Sequence, residues 1–591
     1  MAYLIDVLTL TAILAIAVHG YMLIKGLGGM LHLGHAVFYG IGAYASAIIS
    51  TTLLPPGYFP ASVMAGALAA GVGALLIGWP ALQDRARYFM IVTFSLQLIF
   101  VTLVINLGFT GGPDGLSSIP RMSFGPWQPN RHWALDLGVA TVGYPDIKLL
   151  VVVGFAAFSY WFCSRIVHSP YGRLIRAVRD DERVAEAFGR DAVRARLSIL
   201  LIGAAVTGMA GGLFAHHFNY VGPSQFGLDL TMLMLAMLIL GGQCSLAGAT
   251  FGAVLMVGLL EALRFVLDDG LGVPFHMIAH LRQAIFSIIL ILVLALRPRG
   301  LFPETLAHHR RPAATPRPAR LTGCARALEP PASGEILKAS GLIKHFGGLA
   351  AVDGAGVSLR PGRIVAIIGS NGAGKTTVFN LLSGFERADA GAAHVGAVSL
   401  LGRRPAEIAR LGVARTFQDV RIWPRLTVIE NILVSRRHQP GETPARLFVS
   451  PRLVASAERI NLDAAWAVLE RFGLAEKANQ LGSDVSYAQR KMLALARVCA
   501  FDPTVLLLDE PTSGVDPRRL DVFLDHIRAF ARADQRAVCL IEHNMSVVRE
   551  LADWVLYMDG GRVLAAGTPA DVLGDDVLMR RYLGHREPVM A

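Results

Sequence analysis

The run Gly369-Ser370-Asn371-Gly372-Ala373-Gly374-Lys375-Thr376-Thr377 has the residue types and spacing to hold a phosphate chain. Its glycines let the backbone turn tightly enough for successive N–H groups to face phosphate oxygens. Lys375 would reach the β- and γ-phosphates, and the Thr376 hydroxyl would sit on Mg²⁺. A second run, Val505-Leu-Leu-Leu-Asp509-Glu510-Pro511, ends an apolar stretch in two adjacent acids. Asp509 is placed to hold Mg²⁺, directly or through water, and Glu510 to polarise an attacking water. Hydrolysis at a γ-phosphate needs both tasks done side by side.

These residues need particular elements beneath them. The apolar run Arg363–Gly369 predicts a buried strand, and Val378–Leu382 predicts the start of a helix. Strand, glycine loop and helix is the context in which the spacing becomes a binding site, and the helix N-terminus adds positive dipole. A glycine turn ahead of any helix would not need the lysine–threonine pair. Val505–Asp509 predicts a second buried strand.

The chain around this site is unusual in composition. It has 591 residues, 53% hydrophobic and only 17% charged. Ordinary soluble chains carry about 25% charged residues, and a chain of this length needs at least two cores. The shortage of charge belongs to the first half, where lysine occurs only at Lys25 and Lys148 before position 300. Apolar segments run over Leu4–Ile24, Leu31–Leu53, Ala61–Trp79, Tyr88–Leu107, Lys148–Cys163, Leu197–Ala215, Leu228–Leu240, Gly248–Leu267 and Gln283–Leu296. At roughly 20 residues per span they give about nine membrane crossings. Gly34, Gly40 and Gly42 mark the second segment for an interrupted or re-entrant helix.

The formal charge of +11 would suit nucleic acid or a membrane surface. Its placement favours the membrane and no nucleic acid, because the cations lie between and after apolar segments, as cytoplasmic loops require. Arg165 to Arg196 is an arginine-rich loop, and Arg297 and Arg299 follow the last span, so both are assigned to the cytoplasmic side. Alternation from these anchors puts Gln83–Arg87 inside and the N-terminus outside. The N-terminal apolar run lacks the basic region of a secretory signal and reads as a retained span. Cys163, Cys244, Cys324, Cys499 and Cys539 show neither close pairing nor metal-ligand spacing, which fits a soluble half in a reducing compartment. From Glu304 to Gly334 the chain is rich in Pro, Ala and Arg and reads as a semi-stiff linker near anionic lipid. The domains are therefore 1–303 in the membrane, 304–334 as linker and 335–591 as a soluble nucleotide engine.

The soluble half resembles the ATP-binding-cassette (ABC) ATPases over its whole length. Beyond the loop and the acids, Val485-Ser486-Tyr487-Ala488-Gln489 stands where that family carries its signature sequence. The resemblance implies further roles. Gln418, in Arg415-Thr-Phe-Gln418, is the Q-loop glutamine and joins Thr376 and Asp509 at Mg²⁺. His543 is the switch histidine, and Ser513-Gly-Val-Asp516 is the D-loop. Phe346 stacks on adenine, with Val352 beside it in the nucleotide site. Two cassettes would close head to tail, each ATP lying between one phosphate loop and the other cassette's signature. Tyr487 and Ala488 replace the glycines of the usual signature, while Ser486 and Gln489 remain.

The membrane half resembles the permease subunits of branched-chain amino-acid importers. The resemblance rests on Gly26–Tyr44, Tyr88-Phe-Met-Ile-Val-Thr93, Thr110-Gly-Gly-Pro-Asp-Gly115 and Arg297-Pro-Arg-Gly-Leu-Phe302. Ala414–Gln418 and the tail Gly567-Thr-Pro…Tyr582-Leu-Gly584 match the ATPase subunit of the same systems. The fold class implied is a polytopic α-helical membrane domain followed by an α/β P-loop ABC ATPase domain with a helical subdomain, a permease fused to its ATPase in the bacterial inner membrane. The loop Asp180–Gly189, with Asp180, Asp181, Glu182, Glu186 and Gly189, is its coupling segment. Implied partners are a second permease and second ATPase, or self-pairing, together with an extracytoplasmic binding protein, a small-molecule solute and membrane lipid. Urea or short amides as cargo, and a membrane regulator that moves nothing, stay open alternatives. His32 and His35 could ligate a metal by spacing, but packing or hydrogen bonding is favoured. His216-His217 reads as an interfacial pair. Gln97, Asn106, Thr207 and Glu261 are polar groups at or near the spans, each read first as helix–helix hydrogen bonding.

Overall fold

A computed structural model describes residues 2–55, 57–83, 88–127, 133–136, 141–266, parts of 284–304, 309–310 and 334–578. It divides into two compact units, one of residues 1–179 and 193–306, the other of 180–192 and 307–591. The linker residues 311–333, most of the ninth expected span and the Tyr582-Leu-Gly584 tail lie outside the described residues.

The first unit is helical. Among the described residues, 7 helices are long and apolar enough to cross a membrane, and Leu228–Gly241 is a shorter apolar helix. The first continues beyond its expected end, to Leu27, in a wider helical turn over Met22–Leu27. The second segment begins only at His35 and runs unbroken through Gly40 and Gly42. Those glycines serve close packing instead of interruption. A Cβ on Gly42 would lie 2.1 Å from the Gly208 carbonyl oxygen, and one on Gly208 2.4 Å from Ala70 Cβ. Lipid supplies no hydrophobic drive between helices, so small residues that let backbones approach carry the association.

Most of the polar groups singled out in this bundle are paired, as an apolar medium favours, while the Tyr39 and Tyr44 hydroxyls are buried without a hydrogen-bond partner among the described residues. His32 Nε2 and His35 Nδ1 lie 3.0 Å apart, and His35 Nε2 lies 3.1 Å from Thr207 Oγ1. Gln97 donates to the Phe226 carbonyl and accepts from Thr231. Asn106 donates within its own helix to Thr102 O, and Glu261 accepts from Tyr3. His216 departs from the interfacial expectation. It is buried, 2.9 Å from Ser62 Oγ through Nε2 and 2.7 Å from Pro120 O through Nδ1. A dipeptide of two histidines carries no sign of which ring faces the core.

The second unit holds two sheets. The strands are β1 (Ala134–Asp136) and β2 (Thr141–Gly143) in the membrane unit, then β3 (Leu337–Phe346), β4 (Leu349–Leu359), β5 (Ile364–Gly369), β6 (Ala390–Val395), β7 (Val398–Ser399), β8 (Val413–Arg415), β9 (Val505–Asp509), β10 (Ala537–Ile541), β11 (Trp554–Asp559) and β12 (Arg562–Gly567). One sheet has the order β12-β11-β5-β10-β9-β8 and the other β4-β3-β6-β7. From β11 to β8 the pairs are parallel. Every residue of β5, β9 and β10 is buried, the continuous apolar pattern of strands covered on both faces. Their carboxyl ends deliver Gly369, Asp509 and Ile541 to one edge, where open parallel sheets bind ligands. The helices Val428–Ser435, Pro444–Val449, Pro451–Arg471 and Tyr487–Phe501 form the helical part.

Candidate functional site

The loop between β5 and its helix is built as the sequence requires, though the helix begins at Lys375, ahead of the expected Val378. Gly374 has φ +92°, and a Cβ there would lie 2.2 Å from Ala351 O, so no larger residue fits. Ala373 is buried, Ser370 and Thr377 are half-buried, and Asn371, Gly372 and Thr376 are exposed. Ser370 Oγ donates to Asp559 Oδ1 at 3.0 Å. Lys375 Nζ folds back over the loop and donates to the carbonyls of Gly369 and Ser370, both at 2.8 Å. Burial draws its ammonium below the usual lysine range, while Glu510 and Asp509 oppose that shift.

Glu510 gathers the partners expected of it. Gln418 Nε2 donates to its Oε1 at 3.1 Å, and His543 Nε2 lies 3.2 Å from the same oxygen. The glutamate sits at φ +45°, a left-handed backbone unfavourable for a residue with a side chain. Its N–H donates to Ile541 O at 3.0 Å, and Lys491 Nζ donates to its carbonyl at 3.3 Å. These bonds hold the turn that follows β9.

Asp509 is buried at the end of β9. Its Oδ2 accepts from Arg415, and its Oδ1 has no hydrogen-bond partner among the described residues. Burial lifts its carboxyl above the ordinary aspartate range against the opposing Arg415 charge. A buried anionic oxygen without a donor is a position that a divalent cation satisfies. A cavity of about 350 Å³ opens beside it, lined by Thr376, Gln418, Asp509 and Arg415 together with Glu182 and Glu186.

The adenine-side residues separate. Phe346 is 46% exposed at the end of β3, with Lys344 Nζ 5.3 Å from its ring centre. Val352 lies fully buried in the core beneath. Ser486 caps the helix Tyr487–Phe501 in a capping box: Gln489 N donates to Ser486 Oγ at 3.4 Å, and Ser486 N to Gln489 Oε1 at 2.9 Å. Tyr487 stays 52% exposed and Ala488 lies in the first turn. A Cβ on Gly514 would lie 3.0 Å from the Tyr487 ring.

Residues 180–192 belong to the cassette unit. Asp180 Oδ2 accepts from Arg425 N at 3.3 Å, and Asp181 Oδ2 pairs with Arg421 at 3.3 Å. Gly189 O accepts from Arg410 Nε at 3.0 Å. Three further side chains, beyond the acids and glycine singled out for coupling, hold the segment. Phe188 lies between Trp423 and Phe501, with ring centres 5.9 and 5.6 Å away. Arg497 stacks on Phe188 and Trp423 at 5.4 and 4.7 Å. Arg190 pairs with Glu442 at 2.8 Å and donates to Arg436 O at 2.6 Å. The aromatic at 188 was a signal, being an apolar residue in a loop dense with charge.

Comparison with known proteins follows the two units. A family model described as "Branched-chain amino acid transport system / permease component" matches residues 3–294, and an "ABC transporter" model matches 352–513. The chain is 38% identical over 252 residues to the high-affinity branched-chain amino acid transport ATP-binding protein LivG of Salmonella typhimurium, covering 42% of this chain and 98% of that protein. It is 38% identical over 250 residues to BraF of Pseudomonas aeruginosa, with the same coverage of 42% and 98%. A solved nucleotide-free ATP-binding cassette from an ABC transporter is 28% identical, with a TM-score of 0.37, covering 42% of this chain and 98% of that one.

Proposed function

We propose that this chain, which belongs to the ABC transporters of branched-chain amino acids and carries a permease and an ATPase in one polypeptide, drives uptake of branched-chain or related amino acids across the inner membrane. Its relatives LivG and BraF are named for branched-chain amino-acid transport and ATP binding, and the cargo and nucleotide are taken from them. The observation that carries the engine is the convergence of Gln418 and His543 on Glu510 Oε1, beside the glycine loop.

In the proposed cycle Lys375 leaves the Gly369 and Ser370 carbonyls and neutralises the β- and γ-phosphates of ATP. Thr376, Asp509 and Gln418 would hold Mg²⁺, which supplies charge neutralisation at the transferring phosphoryl group. Glu510 orients the attacking water and takes its proton. His543 holds the Glu510 carboxylate from Nε2. Phe346 stacks on adenine. Ser486, at a helix N-terminus, serves the ATP bound to a second cassette. That cassette comes with a second permease or a second copy of this chain, and a binding protein outside the membrane delivers the solute. Residues 180–192 carry cassette closure to the helices on either side of them in the chain.

The reading is tested by reconstituting the purified chain, with its candidate subunits and binding protein, into liposomes. ATP-dependent accumulation of labelled leucine, isoleucine or valine is expected, and Glu510→Gln abolishes it. Accumulation of urea or short amides in place of these would reassign the cargo. Hydrolysis without any uptake would favour a regulator.

A further inference from the structure

Arg415 closes β8, and its side chain is 4% exposed. All three guanidinium nitrogens are engaged. Nη2 donates to Asp509 Oδ2 at 3.0 Å. Nη1 donates to Asn380 Oδ1 and, at 3.2 Å, to Ser383 Oγ. Nε donates to Thr416 O at 3.3 Å. The rings of Phe417, Phe379 and Phe385 lie 5.2, 5.8 and 6.0 Å from the guanidinium carbon.

One side chain therefore ties three pieces of the site together. Asp509 ends β9. Asn380 stands one helical turn after Thr376, on the same face of the helix Lys375–Leu382. Arg415 itself begins the loop that carries Gln418. A buried ion pair is weak as a source of stability, because desolvating both charges offsets their attraction. A planar fork with four acceptors in place is better suited to fixing geometry. The consequence at Asp509 is specific: one oxygen is occupied by Arg415, and the other, buried in the same carboxylate, has no donor among the described residues. Magnesium demands near-ideal octahedral geometry, so the orientation of each carboxylate oxygen matters more than its charge alone.

We propose that Arg415 is a positioning residue for the Mg²⁺ site: it holds Asp509 Oδ2 so that Oδ1 is the oxygen offered to the cation, and through Asn380 it sets the helix that carries Thr376. This rests on the reading of Asp509 and Thr376 as the cation's ligands. Arg415 touches neither nucleotide nor water in this scheme and acts only through other residues.

The test is equilibrium binding of ADP to the full chain in lipid nanodiscs, across a Mg²⁺ titration and in EDTA. Arg415→Met is expected to raise the half-saturating Mg²⁺ concentration about tenfold or more, as loss of a ligand-orienting partner does, with ADP affinity in EDTA held within about twofold. Arg415→Lys recovers part of that shift, and Asn380→Ala gives a smaller shift in the same direction, which keeps the test open if the methionine variant does not fold. An unchanged Mg²⁺ requirement in these variants, or an equal loss of ADP affinity in EDTA, overturns the proposal. Asp509→Asn separates the levels. If it leaves the Mg²⁺ requirement unchanged, the ligand reading falls and this inference with it. If it raises the requirement while the Arg415 variants do not, only the inference falls.

Discussion

Phe188 packs its ring against Trp423, with centres 5.9 Å apart though the two residues are 235 positions apart in the chain. Arg497 lies over both rings and is fully enclosed, and burial draws its guanidinium down to about 9. The segment 180–192 is thus anchored by an aromatic plug, with the Arg190–Glu442 pair at one end and the Asp181–Arg421 pair at the other. In the proposed cycle the segment carries cassette closure only while this plug stays filled.

Phe188→Ala is expected to uncouple the chain. Removing a buried phenylalanine costs about 3–5 kcal/mol of local packing, enough to release the segment. Solute uptake in liposomes should fall at least about tenfold while basal ATP hydrolysis stays near wild type, because every group assigned to hydrolysis is untouched. Parallel loss of both activities would show that the plug supports the cassette itself.

Glu510→Gln keeps the shape and both hydrogen-bond partners but removes the base. Turnover should drop by about 10²–10⁴-fold, the usual contribution of a positioned general base. Affinity for ATP, read by equilibrium binding, should hold or increase. Gln418→Ala and His543→Ala each leave one partner on Oε1, so both should slow turnover less than the glutamate change. Normal hydrolysis in Glu510→Gln would assign the proton to another group.

Much of this centre is legible in one dimension. The loop Gly369–Thr377 and the pair Asp509–Glu510 show themselves because a strand and its following turn are local, and glycine, lysine and acid are needed there for chemical reasons. The helix starts at Lys375, ahead of the apolar run that signals it, because its first turn holds the motif's own threonines, residues of modest helix propensity. Arg415 is different. It lies in the same short motif as Gln418, yet its partner Asp509 is 94 positions away, and no spacing rule connects them. The same holds for Phe188 and Trp423. In the membrane unit composition locates spans well, but hydropathy cannot tell a glycine that breaks a helix from one that admits a neighbour, as Gly42 does at Gly208. Nor does it separate a histidine at the rim from one paired inside, as His216 is.

Acid should weaken the cassette through His526. Its ring stacks on Phe472 with centres 4.3 Å apart. Burial first, then the nearby Arg471 charge, draws the imidazole below its ordinary range, with Asp525 opposing. The folded chain therefore holds this ring neutral at a pH where the unfolded chain binds a proton, so stability is lost as pH falls through about 6.5. His526→Phe keeps the stack and removes the proton. Thermal unfolding of the cassette, compared at about pH 7.5 and about pH 5.5, should lose less stability in the variant than in the wild type. Equal losses would remove His526 from the account.

Ala488→Gly addresses the departure in the signature. Ala488 stands in the first turn behind the Ser486 cap, where the family resemblance favours a residue without a side chain close to a partner's phosphate. Glycine inside a helix costs about 0.5–1 kcal/mol relative to alanine, so the variant should melt slightly earlier. Turnover measured on the assembled transporter should nevertheless rise or stay level, because the methyl no longer stands between this backbone and the γ-phosphate held by the other cassette. The neighbouring Tyr487, beside Gly514, is unchanged in this variant. A fall in turnover beyond what the lost helix stability explains would mean that the opposing cassette packs on the methyl, and that the alanine belongs to a matched pair of surfaces.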